Sequence, residues 1–398
     1  MTVQQIVFVA PFGLGKKTTV WARTLPLARY LASQGQQVTI LIPPWDTPAD
    51  AGKQWVEDGV QMVNVHLGGG ILGTVARMVH WIDRAQPQIV HIVKPRAHAG
   101  LVQWWLWQKR RLQRRGPHLL LDVDDWEQAW NAINHYPQPV ARFLAWQEEW
   151  GIRHADAVTA ASRWLVNRVQ QYTPQTPVLY LPNGIERMPT TENGPQATSD
   201  EICVLFFSRF VEVEPAWLAD FWHALHEQLP QARLLIAGQA LQSGREAIYQ
   251  TQMQKTNPVG AAQVEWLGYV QPADLPALYA RSTCAIFPSA ATPLLQAKCS
   301  VKLATTLLHR VPVIASAVGE QAAYGANGAA YLVAADATAA AFAHATAELV
   351  NQPLRQQQLI NDAKQHLLST YPWPRLGKDL AAFYQQVSQP KPARNQTN

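Results

Sequence analysis

The chain has 398 residues, 48% of them apolar, with a formal net charge of +5 and a pI near 9.1. That length exceeds what one hydrophobic core usually serves and predicts two domains of near-equal size. Five excess charges on so large a surface are more often an ordinary surface than a nucleic-acid site, and the absence of any run of about eighteen apolar residues sets aside a spanning helix.

In chain order, QQIVFVAPFG opens with an apolar run too short for a signal sequence and reads as a first strand. It enters PFGLGKKTT, a turn with two glycines and two lysines. A phosphate-wrapping loop needs G-x-x-x-x-G-K-[ST]; here Ala10 stands five residues before Gly15, and Lys16 is followed by Lys17 in place of a hydroxyl. The pattern G-x-G-x-x-G begins at Gly13 and Gly15 and fails at Thr18. What remains is a glycine-rich turn between a strand and a helix, at the sheet edge where α/β proteins hold ligands. TVWARTLPLARYLASQG reads as the helix, closed by Gly35. QVTILIP (37–43), QMVNVHL (61–67), QIVHIV (88–93), HLLLDV (118–123), AVTAA (157–161) and VLYLP (178–182) follow as strands between amphipathic stretches, the pattern of a parallel sheet built from βαβ units.

After the turn-rich stretch PTTENGPQATSDE the pattern restarts with ICVLFFS, ARLLIAG, VEWLGYV, TCAIFPS, VPVIAS and AAYLV. The predicted organisation is a first domain over 1–188, a linker over 189–201, a second domain over 202–375, and a C-terminal helix with a polar, frayed tail over 376–398. Cys203, Cys284 and Cys299 show neither C-x-x-C nor zinc spacing and read as reduced thiols of a cytoplasmic protein.

LPNGIE (181–186), FFSRF (206–210), ARLLIAG (232–238), VEWLGYV (264–270), AIFPS (285–289) and VKLATTLLHRVPVIASAVGE (301–320) together resemble the C-terminal half of a family 4 glycosyltransferase. VHIVKP (90–95), LDVDDWE (121–127) and RHADAVTAAS (153–162) resemble the first half of a bacterial branch of that family, so the likeness spans roughly residues 1 to 385. It implies the GT-B fold: α/β, two Rossmann-like doubly wound parallel-sheet domains with an interdomain cleft. It also implies a nucleotide-diphosphate sugar donor, a glycan or lipid-linked acceptor, retention of configuration, and no metal or further cofactor.

A donor of this kind brings two phosphate charges, which call for a fixed cation and oriented backbone donors. Arg209, just past the first strand of the second domain, matches the family arginine that grips the diphosphate; the alternative is a surface pair with Glu212 or Glu214. Five residues after it many members carry a lysine, and here Glu214 stands instead, a charge that repels phosphate. Lys298 and Lys302, at and just inside the start of a predicted helix, are the expected replacement, with Ser300 between them; solvated lysines are the alternative. Gly268, Tyr269 and Thr305 complete the expected donor site by resemblance, and Gly13 and Gly15 let the first loop approach the diphosphate or the acceptor, with Lys16 and Lys17 adding positive potential.

The family's acidic pair falls on Ala297 and Thr305, which removes both carboxylates and opens the reading of a member that binds without turnover. In the first domain Asp124, Asp125 and Trp126 are expected to end a strand where acceptor or sugar lies, against the alternative of turn-stabilising carboxylates. His91 is the third catalytic candidate, with a satisfied core histidine as its alternative, and Lys94 and Arg96 follow where they could meet phosphate. Finally LVQWWLWQKRRLQRR (101–115) joins three tryptophans to five basic side chains, the composition of a helix lying in an anionic headgroup layer, or of one packed on the sheet with a wet basic side. The reading is a nucleotide-sugar-dependent glycosyltransferase; a membrane or nucleic-acid adaptor is the rival of another class.

Overall fold

The computed structural model describes residues 4–15, 18–186 and 201–389. Lys16, Lys17 and all of the predicted linker except Glu201 lie outside the described residues. The chain forms two compact units, Met1–Gly184 with Trp373–Asn398, and Ile185–Pro372. Each is an α/β unit with its own mostly parallel sheet, as the alternation of strands and helices predicts.

In the first unit the strands are β1 (Gln5–Val9), β2 (Gln37–Ile42), β3 (Gln54–Glu57), β4 (Val60–Asn64), β5 (Ile89–Val93), β6 (His118–Val123), β7 (Ala157–Ala160) and β8 (Val178–Tyr180). They lie in the order β3-β4-β2-β1-β5-β6-β7-β8, so the direction of winding reverses between β1 and β5. Every residue of β5 is buried, as expected of a strand covered on both faces. The antiparallel edge strand β3 is absent from the sequence reading; its signal was Asp58–Gly59, both at positive φ, the two-residue hairpin turn that joins it to β4.

The helix expected over 19–35 is broken into two parts. A wide turn over Val20–Thr24 closes with Leu25 N–H donating to the Val20 carbonyl, and only then does an α-helix run over Leu25–Ser33 (α1). Pro26 is the cause, because a proline in a helix lacks an N–H and its ring clashes with the carbonyl four residues back. The wide turn leaves Arg23 inside, 2% exposed. Gly35 follows α1 with φ +81 and gives the chain its exit.

The expected C-terminal helix starts earlier than 376 and belongs to a core. Trp373–Ser388 is a helix whose Trp373, Leu376, Leu380, Phe383 and Tyr384 join Ile6, Phe8 and Leu31 in the first unit's core. The second unit therefore ends at Pro372 and not near 375, and the crossing out of the first unit falls at Gly184 and not at 188.

In the second unit β9 (Cys203–Phe207), β10 (Arg233–Ala237), β11 (Val264–Gly268), β12 (Cys284–Phe287), β13 (Val313–Ser316) and β14 (Tyr331–Val333) are all parallel, in the order β11-β10-β9-β12-β13-β14. This doubly wound order reverses between β9 and β12, where such sheets open a ligand crevice beyond the strands' carboxyl ends. Among the described residues no helix is long and apolar enough to cross a membrane.

Candidate donor and acceptor sites

The loop leaving β9 carries Ser208 to Glu212, and Glu212 organises it. Its carboxylate accepts the Ser208 hydroxyl at 2.9 Å and the N–H groups of Arg209 and Val211 at 3.1 Å each, while Lys298 Nζ lies 3.2 Å away. Burial opposes ionisation of Glu212, but Lys298 and these donors outweigh it and hold the carboxyl below its usual range. The Glu212 carbonyl also accepts Ala290 N–H at 3.1 Å, which ties the loop after β9 to the loop after β12. The next turn of the sheet is as tight, since a Cβ at Gly238 (φ +139) would lie 1.9 Å from the Ser208 carbonyl oxygen.

The Arg209 side chain points away from this network. It is exposed, and among the described residues neither Glu212 nor Glu214 pairs with it. Glu214 instead lies 3.6 Å from Arg245, so the expected repulsion of phosphate by Glu214 is blunted by a local cation. Lys302 lies in the first turn of the helix Val301–Leu308 (α2), 4.9 Å over the Phe207 ring, and makes no ion pair among the described residues. Burial, and after it the Arg209 guanidinium, push the Lys302 ammonium below its usual pKa. The two cations thus face one region at the switch point without a counter-charge of their own, which is what a dianionic ligand needs.

Lys298 requires a correction. It terminates the short helix Pro293–Ala297 and spends its ammonium on Glu212, so it buttresses the loop and is not a second free cation. Ser300 precedes α2 without capping it, and the Thr305 hydroxyl donates to the Val301 carbonyl at 3.0 Å. Gly268 ends β11 at φ +60 and Tyr269 beside it is 63% exposed. Gly13 and Gly15 are explained differently from expectation: a Cβ at Gly13 would lie 2.1 Å from Asp46 Oδ1, so the glycine admits the Asp46 side chain.

In the first unit a second charged cluster gathers beyond β5 and β6. Lys94, held at φ +63, reaches Asp124 Oδ1 at 2.8 Å and Glu127 Oε1 at 3.0 Å; Arg96 bonds the other Glu127 oxygen and the Tyr136 hydroxyl. Lys94 and Arg96 are therefore spent on carboxylates and do not stand open to phosphate. Glu148, 1% exposed, accepts the N–H groups of Glu127 and Gln128 at 2.9 and 3.1 Å and caps the helix Glu127–Ile133. Burial, then the charge of Glu127, pushes its carboxyl up to about 8. Burial also raises Asp124 to about 6; Lys94 pulls it down while Asp122 and Asp125 push it up. Asp125 is its half-buried neighbour, and Trp126 packs on Trp164 with ring centroids 5.0 Å apart.

His91 is corrected from catalytic candidate to core residue. It is 1% exposed, stacked on Phe8, and both ring nitrogens are engaged: Nδ1 with the Tyr384 hydroxyl at 2.6 Å and Nε2 with Thr159 Oγ1 at 3.2 Å. Thr159 donates to Asp122 at 2.6 Å, so it accepts from His91 Nε2–H, and Nδ1 accepts from Tyr384. Arg23 closes the chain with two hydrogen bonds to Asp122, at 2.8 and 2.7 Å, and a third to Asn183. Arg23, Glu127 and Glu148 escape sequence reading; LDVDDWE shows Glu127, but only packing tells that it and Glu148 are buried.

Residues 201–352 match the family model described as glycosyl transferases group 1, and residues 18–184 match the glycosyl transferase 4-like domain. The chain is a group 1, family 4-like glycosyltransferase. Comparison with curated proteins gave no match for this transferase. Among solved structures, sucrose-phosphate synthase from Thermosynechococcus elongatus aligns with a TM-score of 0.70 at 16% identity, over 96% of this chain and 99% of that one. Anabaena HepE in complex with UDP-glucose gives 0.66 at 15% identity, over 96% and 100%. The catalytic domain of Arabidopsis thaliana starch synthase IV, bound to ADP and acarbose, gives 0.68 at 12% identity, over 97% and 100%. These likenesses establish the GT-B fold of the glycosyltransferase.

Proposed function

We propose that this glycosyltransferase moves a hexose from a nucleoside-diphosphate sugar to a glycan or lipid-linked acceptor, with retention of anomeric configuration. The donor diphosphate binds Arg209 and Lys302, with Lys298 and Glu212 holding the loop in register and Ser300, Thr305, Gly268 and Tyr269 lining the rest. The observation that carries this is the uncompensated cation pair at the strand-order reversal of the second unit. Support comes also from relatives whose structures contain UDP-glucose or ADP. In the first unit Asp124 and Asp125 are the acceptor-side candidates, Asp124 because its carboxyl lies near 6. Peripheral attachment to an anionic membrane is part of the same reading.

A specific observation favours a second reading, binding without turnover. Ala297 is wholly buried and Thr305 bonds its own helix, so neither brings a carboxylate to the donor ribose or sugar. Calorimetric titration with UDP, ADP and GDP, followed by hydrolysis assays on the matching sugar nucleotides, separates the two. The transferase reading expects one diphosphate to bind and its sugar nucleotide to be turned over; binding with no turnover selects the second reading. Arg209→Ala and Lys302→Met should each weaken diphosphate binding about 10- to 100-fold, the equivalent of ~1.5–3 kcal/mol for hydrogen bonds to a charged group. Unchanged affinity in both variants would overturn the donor site.

A further inference from the structure

The first unit contains a cavity of about 480 Å³, within the size range of small-molecule sites. It lies beyond the carboxyl ends of β2, β4 and β5: Trp45 follows β2, Leu67 follows β4, and Ala97 begins the helix Ala97–Gln113 (α3) that follows β5. Ile71 and Thr74 come from the first turns of the helix Gly70–Ala85, which packs against α3.

No charged side chain lines this cavity. Trp45 and Ile71 are 51% and 58% exposed, so its walls hold large apolar surface in water, and Leu72 beside Ile71 is exposed as well. The polar groups of the lining are mostly engaged or turned away. The Thr74 hydroxyl donates to the Gly70 carbonyl at 3.0 Å, the Gly68 carbonyl accepts from Arg77 Nη1 at 2.7 Å, and His98 is only 6% exposed. Gly70, at φ +63, has open space where a Cβ would stand, so no side chain fills the cavity there. A sugar would leave its hydroxyls unpaired against such walls, whereas a hydrocarbon chain gains about 0.8 kcal/mol for each methylene it buries.

The helix α3 indicates where such a chain comes from. Ala97 is the first residue of a stripe in which Leu101, Trp104, Trp105, Gln108 and Leu112 follow at helical spacing on one face. Trp104, Trp105 and Leu112 are exposed, and at 1.5 Å per residue the stripe leads about 22 Å from the cavity toward exposed Arg111, Arg114 and Arg115. Exposed tryptophans that end in arginines suit an anionic headgroup layer, so the cavity stands at one end of a face shaped for a bilayer.

We propose that this cavity receives one hydrocarbon chain of a membrane lipid, presented to it along the exposed face of α3, with the chain lying against Trp45, Leu67 and Ile71. The lipid is then the lipid-linked acceptor, a step that rests on the transferase reading; the binding of the chain does not.

The test uses the full chain and hexyl, octyl and decyl maltoside, each below its micellar concentration, with maltose as the chainless control. Calorimetry should show one-to-one binding that tightens about 4-fold per added methylene, while maltose shows no such site. Lysophosphatidylglycerol monomers, which carry one lipid chain, should compete with decyl maltoside. Ile71→Asp, at an exposed position, should melt like the wild type and bind decyl maltoside about 10-fold or more weakly, because it sets a charge against the chain. Trp45→Ala, which removes one wall and adds no charge, should weaken it about 5-fold or more. Replacing Trp104 and Trp105 by alanine together should leave decyl maltoside affinity unchanged. Affinity independent of chain length, no competition by the lysolipid, or unchanged binding in Ile71→Asp and Trp45→Ala overturns the inference. Loss of binding in the Trp104 and Trp105 variant overturns it too, because the chain then lies on the helix face and not in the cavity. UDP, ADP and GDP are titrated in parallel. A protein that takes up the maltosides but no diphosphate upholds this site and defeats the transferase reading; the reverse result defeats this site alone.

Discussion

Arg209 and Glu212 stand three residues apart on one loop and do opposite things. Glu212 turns inward and collects two backbone N–H groups, a hydroxyl and Lys298; Arg209 turns outward and collects nothing from Glu212 beyond the bond its own backbone donates. The sequence supplied both residues but not this division. In the first unit His91 makes a prediction of a different kind. Burial lowers its pKa to about 4, with Asp122 opposing and Arg23 assisting, against an ordinary ~6.5. The folded protein holds the ring neutral while the unfolded chain takes up a proton as pH falls through 6.5. Its contribution is thus fully present above that value and lost progressively between about 6.5 and 4, to a maximum on the order of 3 kcal/mol. Asp122 does not titrate in that window, because Arg23 keeps its carboxyl below the usual range despite burial. His91→Gln, whose amide can both accept from Tyr384 and donate to Thr159, should melt with a shallower pH dependence between pH 7 and 4.5. Parallel loss of melting temperature in both proteins would rule His91 out as the cause.

At the scale of elements, α3 does not extend over 101–115 as one uniform amphipathic unit; it runs from Ala97 to Gln113 and packs against the helix Gln138–Arg153. Arg110 is no lipid-facing residue, since it grips Asp156 with both guanidinium nitrogens, and Lys109 pairs with Asp83 at 2.5 Å. The packing nevertheless extends the aromatic surface. Phe143, Trp146, Trp150 and Trp107 form a ladder of rings with successive centroids 5.8, 6.1 and 5.6 Å apart. Phe143 and Trp146 on one helix and Trp104 and Trp105 on the other remain exposed, next to exposed Arg111, Arg114 and Arg115. Exposed aromatics bordered by arginines suit an anionic headgroup layer. Sedimentation with anionic vesicles should fall sharply on combined charge reversal at positions 111, 114 and 115, each basic group near such a surface being worth about 1 kcal/mol. Pelleting equal to wild type, or equal on uncharged vesicles, would show that the face serves another purpose. Position 110 has to be left intact, because removing one partner of its pair with Asp156 would confound binding with folding.

For the whole molecule, the chain leaves the first unit at Gly184 and returns to it at Trp373. The return is fixed closely: a Cβ at Gly184 would lie 2.5 Å from the Trp373 ring, and Gly377 is pressed against Tyr30 in the same way. The last helix is structural to the first unit although nearly two hundred residues of the second unit intervene. Its five buried large side chains, at ~1.5–3 kcal/mol each, rival the ~5–15 kcal/mol that holds a typical domain folded. Ending the chain after Pro372 should therefore abolish the calorimetric unfolding transition of the first unit, while that of the second unit and its diphosphate affinity persist. A truncated protein that keeps both transitions would contradict this account of the core.

What the sequence determined by itself is whatever depends on local pattern. Buried strands written as continuous apolar runs, helices written at helical period, and turn formers between them specified two parallel-sheet units and placed Arg209 and Lys302 at strand and helix ends. The nearby carboxylates were equally visible, yet their allegiance was not: whether Lys298 or Arg209 would take Glu212, whether Lys94 would meet phosphate or Asp124, and whether His91 would serve catalysis or bond Tyr384 within the core depended on distances set by residues far away in the chain. Charge pairing and burial are properties of position in space, where a few ångströms reverse the sign of the outcome. Only the folded chain decided them, and it was the same long-range packing that brought the final helix back to complete the first core.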